Sequence, residues 1–464
     1  MAEMFDAHAE IQLVYVEYKQ VEPRLLEQVQ QRIRSNARLD PGLMVIAGLD
    51  PQVDALTRRR RGEFAAINLL LTDLATDAPD IRNRMSSVLT SVDHYDITAP
   101  VRAASGFFGR RAERDQIIAA IERRQSVGIF GLRKAGKTSL MNLVSDLRRE
   151  AGKPVVWLDI SGVTGADDFR GRVLEGMFTA AKASAVECSM PRLRTISRRG
   201  EVTTDSALVR QSWLRDVEVL AEFIGVTIEL FIDEVDQLFP VRSYLGEQEA
   251  AQLFVALTQL RGMIQGARPG AEIVLVCAGV DPAIFEMPLL SNGTDNLLYK
   301  LVRLHYLAPL HRDEMAEMVR DLGRRMGVRV RDYRVIDFLY AEYGGHPLLT
   351  RKACSLAAMD RPRGEVPWNM TVEAVELATN TTGSGTPLQQ AAEILESFGG
   401  WFPGEAALLQ QLWSSDNEEA EFARELIQED VSQIAHAAPY GLLWQDTLQP
   451  RIRAVKRAVG SVSR

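Results

Sequence analysis

Cysteine is nearly absent. The three present, Cys188, Cys277 and Cys354, lie too far apart for a disulfide framework or a metal-binding cluster. A reducing cytoplasm is the expected setting. Long apolar runs are missing too: none approaches the ~18 residues of a membrane span. The opening Met-Ala-Glu-Met-Phe-Asp has no basic stretch followed by an apolar one, so no secretory leader is expected. Nor is there an excess of positive charge. Lys and Arg total 54 against 62 Asp and Glu, a net charge of −8. That argues against electrostatic binding of nucleic acid by the whole chain and leaves only local basic patches. No repeat or low-complexity tract is visible. What remains is ordinary globular composition, 46% hydrophobic and 25% charged, over 464 residues. That length allows two to four domains.

The most informative stretch is Ser126-Val-Gly-Ile-Phe-Gly-Leu-Arg-Lys-Ala-Gly-Lys-Thr-Ser-Leu140. It reads as a buried strand (Val127 to Phe130), a glycine-bounded loop, and an amphipathic helix from Thr138 to Glu150. Gly131, Gly136, Lys137 and Thr138 fit G-x-x-x-x-G-K-[ST], the phosphate-binding loop. Glycines let the backbone approach phosphate closely. The amides of residues 132 to 138 (Leu132, Arg133, Lys134, Ala135, Gly136, Lys137, Thr138), with Ser139 behind them, form the cradle. The helix presents its positive end to it. Lys137 reaches the β- and γ-phosphates, and the Thr138 hydroxyl holds Mg²⁺.

A second motif follows about 95 residues on. Thr227-Ile-Glu-Leu-Phe-Ile-Asp-Glu-Val-Asp236 is an apolar strand ending in two carboxylates. Asp233 is the Mg²⁺ partner of Thr138, and Glu234 the general base that polarises water. Glu229 interrupts the apolar run, and Asp236 is assigned to the following loop. Between the motifs lie a strand from Pro154 to Ile160, helices from Asp167 to Ala185 and Ser206 to Phe223, and an Arg-rich loop or insertion from Met190 to Thr204. Glu272 to Gly279 and Tyr299 to Tyr306 supply two more strands. Alternating strands and helices imply a five-stranded parallel sheet with ligand at the carboxyl ends of its strands.

Several segments resemble the STAND and origin-recognition-like branch of P-loop ATPases, within the wider AAA+-like group. Phe108-Gly109-Arg110 matches the aromatic-x-Gly-Arg element that packs beside adenine and ribose in that branch. Arg133 and Lys134 match its basic pair. Leu307-Ala-Pro-Leu310 with Arg312-Asp-Glu-Met315 resembles the L-x-P-L-x-x-x-E start of its helical lid. Tyr343-Gly-Gly-His-Pro-Leu-Leu-Thr350 matches its G-G-H-P turn, with His346 and Pro347 as candidate phosphate contacts. The usual polar sensor is lacking: Cys277, Ala278 and Gly279 occupy that strand end, followed by Asp281. Arg303 and Arg242 are the candidates for an arginine supplied in trans. The resemblance covers about residues 103 to 460.

The first hundred residues read as a small α/β unit. Strands are expected at Ile11 to Val16 and Gly42 to Ala47, and helices at Glu22 to Ser35, Val53 to Ala75 and Ile81 to Val92. Asp6, Glu17 and Lys19 resemble the D-x(n)-E-x-K centre of restriction-endonuclease-like domains. Glu17 and Lys19 would share one strand face there, and the carboxylates would bind a divalent metal. The alternative is an accessory domain without nuclease chemistry. Arg58 to Arg61 form a basic run, either a solvated helix face or a phosphate contact. Ser91 to Ser105 reads as a linker.

The C-terminal part reads as a flexible linker (Asn380 to Pro387) before three helices, Leu388 to Phe398, Glu405 to Trp413 and Glu418 to Ala435. A short hairpin and the basic end Arg451, Arg453, Lys456 and Arg457 follow. This resembles a winged-helix module and allows contact with nucleic acid.

The expected fold class is therefore α/β: a P-loop NTPase core with a parallel five-stranded sheet, a helical lid, a C-terminal winged-helix-like module and a small N-terminal α/β domain. The expected boundaries are 1–98, 103–305, 306–379 and 386–464. The resemblance implies an ATP- and Mg²⁺-dependent switch that regulates an effector or partner in signalling or defence; the expected partners are ATP and ADP and either another protein or further copies of this chain, with no membrane. Two rivals stay open: a DNA-binding ATPase, and an adaptor that holds nucleotide with little turnover.

Overall fold

The computed structural model describes residues 10–36, 38–58, 65–72, 83, 86, 90, 92–96, 106–184, 190–239, 247–266, 270–290, 292–362 and 366–462. The chain divides into two units. One comprises Arg111–Ala308, the other Met1–Arg110 with Pro309–Arg464.

Unit Arg111–Ala308 is built on five parallel strands in the order β5-β6-β7-β4-β8. They are β4 (Val127–Phe130), β5 (Val155–Asp159), β6 (Ile228–Asp233), β7 (Ile273–Gly279) and β8 (Arg303–Tyr306). β4, β6 and β7 are buried at every residue, as continuous apolar strands under helices should be. The helices are α3 (Arg111–Glu122), α4 (Lys137–Glu150), α5 (Ala166–Ser184), α6 (Ser206–Ile224) and α7 (Glu247–Gln259). Trp157 of β5 stacks on Phe231 of β6 at 5.8 Å. Glu229, which breaks the apolar run of β6, is buried against Arg148 of α4.

The Arg-rich segment before α6 is not a plain loop. Ile196 bridges Val202 in antiparallel fashion, and Thr203 N donates to Thr195 O at 2.8 Å. Asp216 of α6 holds it by accepting from Arg194 N, Thr195 N and Thr195 Oγ1. A buried carboxylate with three donors is a specific anchor.

The other unit contains a three-stranded parallel sheet in the order β1-β2-β3: β1 (Glu10–Val16), β2 (Leu39–Gly48) and β3 (Ala65–Leu70). α1 (Pro23–Arg34) and α2 (Val53–Arg58) connect them. Val14 and Val16 of β1, Met44 and Ile46 of β2, and Leu26 and Ile33 of α1 share one core. The expected helix over 53–75 is therefore corrected. It stops at Arg58, and Ala65–Leu70 is a strand paired to Leu43–Gly48. Asp6, Arg59, Arg60, Arg61, Arg242 and most of the expected helix over 81–92 lie outside the described residues.

The reading of Glu17 and Lys19 on one strand face is also corrected. β1 ends at Val16, where its pairing partner in β2 ends at Gly48. Glu17, Tyr18 and Lys19 follow in an exposed bend, Tyr18 at 75% exposure.

His94, Tyr95 and Asp96, expected as linker, form a strap through the helices of the same unit. Those helices are α8 (Arg312–Arg324), α9 (Tyr333–Tyr343), α10 (Pro347–Met359) and α11 (Val372–Asn380). Tyr95 is only 1% exposed, and its hydroxyl donates to Val319 O of α8 at 2.7 Å. Arg351 of α10 donates to His94 O and Tyr95 O, and Lys352 pairs with Asp96. Ser355 Oγ donates to Asp93. Asp40 of β2 pairs with Arg324 of α8. Asp40 thus joins the N-terminal sheet to α8, and the strap is held among the lid helices.

α12 (Pro387–Trp401), α13 (Pro403–Leu412), α14 (Asn417–Glu429) and α15 (Arg453–Val462) make the C-terminal module, with an antiparallel bridge between Leu443 and Pro450. Its basic end is partly internal. Arg451, 9% exposed, donates to Gly344 O and Pro309 O and lies over the Trp444 ring at 4.6 Å. Arg457 pairs with Glu342 of α9. Arg453 and Lys456 remain exposed.

Candidate nucleotide-binding site

The loop from Gly131 to Gly136 leaves β4 and enters α4 at Lys137. Gly136, the residue before the helix, has φ 98°, open to glycine and strained for other residues. A Cβ on Gly131 would stand 2.8 Å from Leu307 O, so the loop runs flush against the segment that follows β8. Arg133 and Lys134 are exposed, while Leu132 and Ala135 are buried. Lys134 also has positive φ, at 62°.

Lys137 is buried and folds back over its own loop. Its Nζ donates to Gly131 O at 3.0 Å and Leu132 O at 2.9 Å. Burial lowers its pKa from the ordinary lysine value, and the carboxylates of Glu234, Asp236 and Asp233 oppose that shift. The ammonium group thus lies over its own loop, held by two of the loop's carbonyls. Thr138 Oγ1 donates to Asp233 Oδ2 at 2.7 Å. The two expected Mg²⁺ partners are therefore brought together from residues 95 apart. A hydroxyl beside a carboxylate is a hard oxygen pair, which suits a small divalent cation that keeps most of its water. Among the described residues, no group of three or more His, Cys, Asp or Glu is placed to hold a metal by itself.

Asp233 is the last residue of β6, and Glu234 leaves the strand in the left-handed region at φ 57°, ψ 40°. That conformation costs a non-glycine residue about 1–2 kcal/mol. Glu234 N donates to Asp233 Oδ1 at 3.1 Å. Burial raises the pKa of both carboxyls above the ordinary range. Asp159, at the end of β5 and in register with Asp233, adds negative charge that acts in the same direction. A raised pKa makes Glu234 a stronger proton acceptor.

Asp236 lies in the segment after the strand, as expected, but it is buried. It sits in the short turn Val235–Leu238, is 1% exposed, and accepts from Val280 N at 2.8 Å and Asp281 N at 3.3 Å. Burial first, and the charge of Glu234 second, push its carboxyl up to about 7. Sequence reasoning missed it because position three past the strand-end acid carries no fixed chemistry. Its signal is the glycine at Gly279, which the side chain packs against. Cys277 and Ala278 are fully buried, so β7 offers no polar side chain at those two positions.

Phe108, Gly109, Arg110, His346 and Pro347 belong to the unit that holds the lid. Gly109 and Arg110 both have positive φ, 67° and 61°. Arg110 N donates to Glu314 Oε1 at 2.7 Å, and His311 N to Glu314 Oε2 at 3.0 Å. Glu314 thus anchors the Phe108–Arg110 segment to the first turn of α8. The Arg325 guanidinium lies 5.9 Å from the Phe108 ring. His346 is fully buried at the N-cap of α10, with Pro347 as its first residue. Leu310 N donates to Gly345 O at 3.0 Å, which fixes the Gly-Gly-His-Pro turn to the lid entry. Arg303 opens β8, at the end of the sheet away from the phosphate loop.

No family model matches the sequence, and no curated protein matches it. Solved structures do. A Walker-type ATPase of Pyrococcus abyssi superposes with a TM-score of 0.51 at 12% identity, over 79% of this chain and 99% of that one. The chain has the fold of a Walker-type P-loop ATPase. Cdc6p from Pyrobaculum aerophilum is more distant, with a TM-score of 0.36 at 13% identity, over 76% of this chain and 95% of that one. No helix among the described residues is long and apolar enough to cross a membrane.

Proposed function

We propose that this protein binds ATP with Mg²⁺ at Gly131–Ser139 and hydrolyses it as a conformational switch acting on a partner protein. The observation that carries this reading is the Thr138–Asp233 hydrogen bond, which joins the two halves of the expected site at 2.7 Å. The loop amides and Lys137 bind and orient the β- and γ-phosphates. Thr138 and Asp233 hold Mg²⁺, which supplies charge neutralisation on the phosphates when bound. Glu234, made more basic by burial, accepts the proton of the attacking water. The Asp40–Arg324 ion pair between the N-terminal sheet and α8 favours output through that sheet. A nuclease output has less support, because Glu17 and Lys19 lie in an exposed bend.

Two variants of the full chain test the reading. Lys137→Ala should weaken MgATP binding by on the order of 100-fold, since it removes a buried cation from the phosphate site. Glu234→Gln should leave binding near wild type and lower turnover by on the order of 10²–10⁴-fold, the usual worth of a general base. Wild-type protein that binds no adenine nucleotide in calorimetry would overturn the assignment.

A further inference from the structure

The strand β7 ends without a polar side chain to face a nucleotide, yet its terminus is gripped from the neighbouring element. The Asp236 carboxylate reaches across from the turn after Glu234 and accepts from two successive amides, Val280 N and Asp281 N, through Oδ2. Its Oδ1 accepts no hydrogen bond among the described residues, although the side chain is buried. The space it occupies exists because residue 279 is glycine: a Cβ there would stand 2.9 Å from Asp236 Oδ1 and 3.2 Å from the Phe130 ring. Phe130 is the residue that leads into the phosphate loop. One buried carboxylate therefore ties the end of β7 to the turn that follows Glu234, beside a glycine that Phe130 also faces.

We propose that Asp236 is a positioning residue for hydrolysis, holding Glu234 in its left-handed conformation by tying the Val235–Leu238 turn to the end of β7. This rests on the assignment of Glu234 as the base. A left-handed non-glycine residue persists only where its surroundings over-determine it. Around the turn, Gln237 N donates to Glu234 O and Phe239 N to Asp236 O. The Asp236 clamp adds two more bonds from outside the turn. It also takes over the mechanical part of the missing strand-end polar residue, because movement at Val280 or Asp281 is passed to Glu234 through one side chain.

The test uses the full chain and reads turnover, nucleotide affinity and amide exchange together. Asp236→Ala should lower kcat by on the order of 10–100-fold, as misplacement of a reacting group does, with KM for ATP within about threefold of wild type. Asp236→Asn keeps an oxygen for the two amides and should recover most of kcat. Gly279→Ala should reproduce the loss from the other side by displacing the carboxylate. The double variant Asp236→Ala/Gly279→Ala should be no worse than Asp236→Ala alone. Hydrogen exchange should rise at Val280, Asp281 and the Glu234–Leu238 turn in Asp236→Ala. Unchanged kcat in both single variants, or loss in Asp236→Asn equal to that in Asp236→Ala, would overturn the proposal. If wild type binds MgATP without turnover, exchange decides: unchanged protection of the turn in Asp236→Ala removes the clamp. If wild type binds no nucleotide, the functional assignment fails, while the same exchange measurement still judges the clamp.

Discussion

Arg148 of α4 grips Glu229 of β6 with a bidentate pair, Nε and Nη2 to Oε1 at 2.9 and 2.7 Å, with Nε also 3.1 Å from Oε2. Glu229 is 3% exposed. The hydrogen bond to Glu229 raises the Arg148 pKa above its ordinary value, so the cation is held charged. The pair ties the helix of Lys137 to the strand of Asp233. Removing Arg148 strands Glu229 in the core, and removing Glu229 leaves Arg148 only its 3.3 Å contact with the exposed Glu122. Glu229→Ala should cost about 3–5 kcal/mol in denaturant unfolding. Arg148→Met/Glu229→Leu should recover most of that loss, because apolar residues of similar volume replace the pair.

Thr138 separates structural from metal-binding roles. Thr138→Ser keeps a hydroxyl for Asp233 and should bind MgATP within about threefold of wild type. Thr138→Ala should lose on the order of 10-fold or more in Mg²⁺-dependent affinity while binding ATP without metal nearly unchanged, as expected when one hard oxygen ligand is removed. Titrations with and without Mg²⁺ give both numbers.

Asp236 makes stability depend on pH with a defined sign. Its folded pKa, about 7, lies above its ordinary value of 3.8. A raised carboxyl pKa contributes stability that is fully present below about pH 4 and is lost as pH rises through about 7. Glu234, Asp233, Lys137 and Cys277 face the same pocket and stay in place in the variant. Asp236→Asn removes this titration, together with the charge it places on Lys137 and Cys277. Relative to wild type, the variant should therefore gain stability between about pH 5 and pH 8, by a few kcal/mol at most, and level off above that. Urea unfolding of nucleotide-free protein at several pH values checks it.

Tyr95 reports on the strap. Tyr95→Phe loses only the bond to Val319 O and should cost about 0.5–1.5 kcal/mol. Tyr95→Ala empties a buried site and should cost about 3–5 kcal/mol. Both losses belong to the lid-bearing unit, so a probe on Trp444 should report them before Trp157 does.

Local signals were legible and long-range ones were not. β4, the phosphate loop and α4 lie where the glycines, the apolar run and Lys137 place them, because that chemistry is contiguous. Ala65–Leu70 was not legible. Its Ala-Ala-Ile-Asn-Leu-Leu reads equally as a helix, and only pairing with β2 decides for a strand. Glu229 and Arg451 looked like a flaw and a surface charge. A sequence shows that a residue is charged, not which buried partner receives it. Asp236 is the same case inside the site itself.

The strap also has a consequence for synthesis. Tyr95 and the carbonyl it binds are 224 residues apart, with the whole of Arg111–Ala308 between them. At roughly 5–20 residues per second, the ribosome delivers Val319 on the order of 10–45 s after Tyr95. Throughout that wait Tyr95 has no permanent place, while Arg111–Ala308 can already close its sheet. The unit assembled from both ends of the chain is therefore the last to form on the ribosome. Its early half is the stretch a chaperone would have to shield.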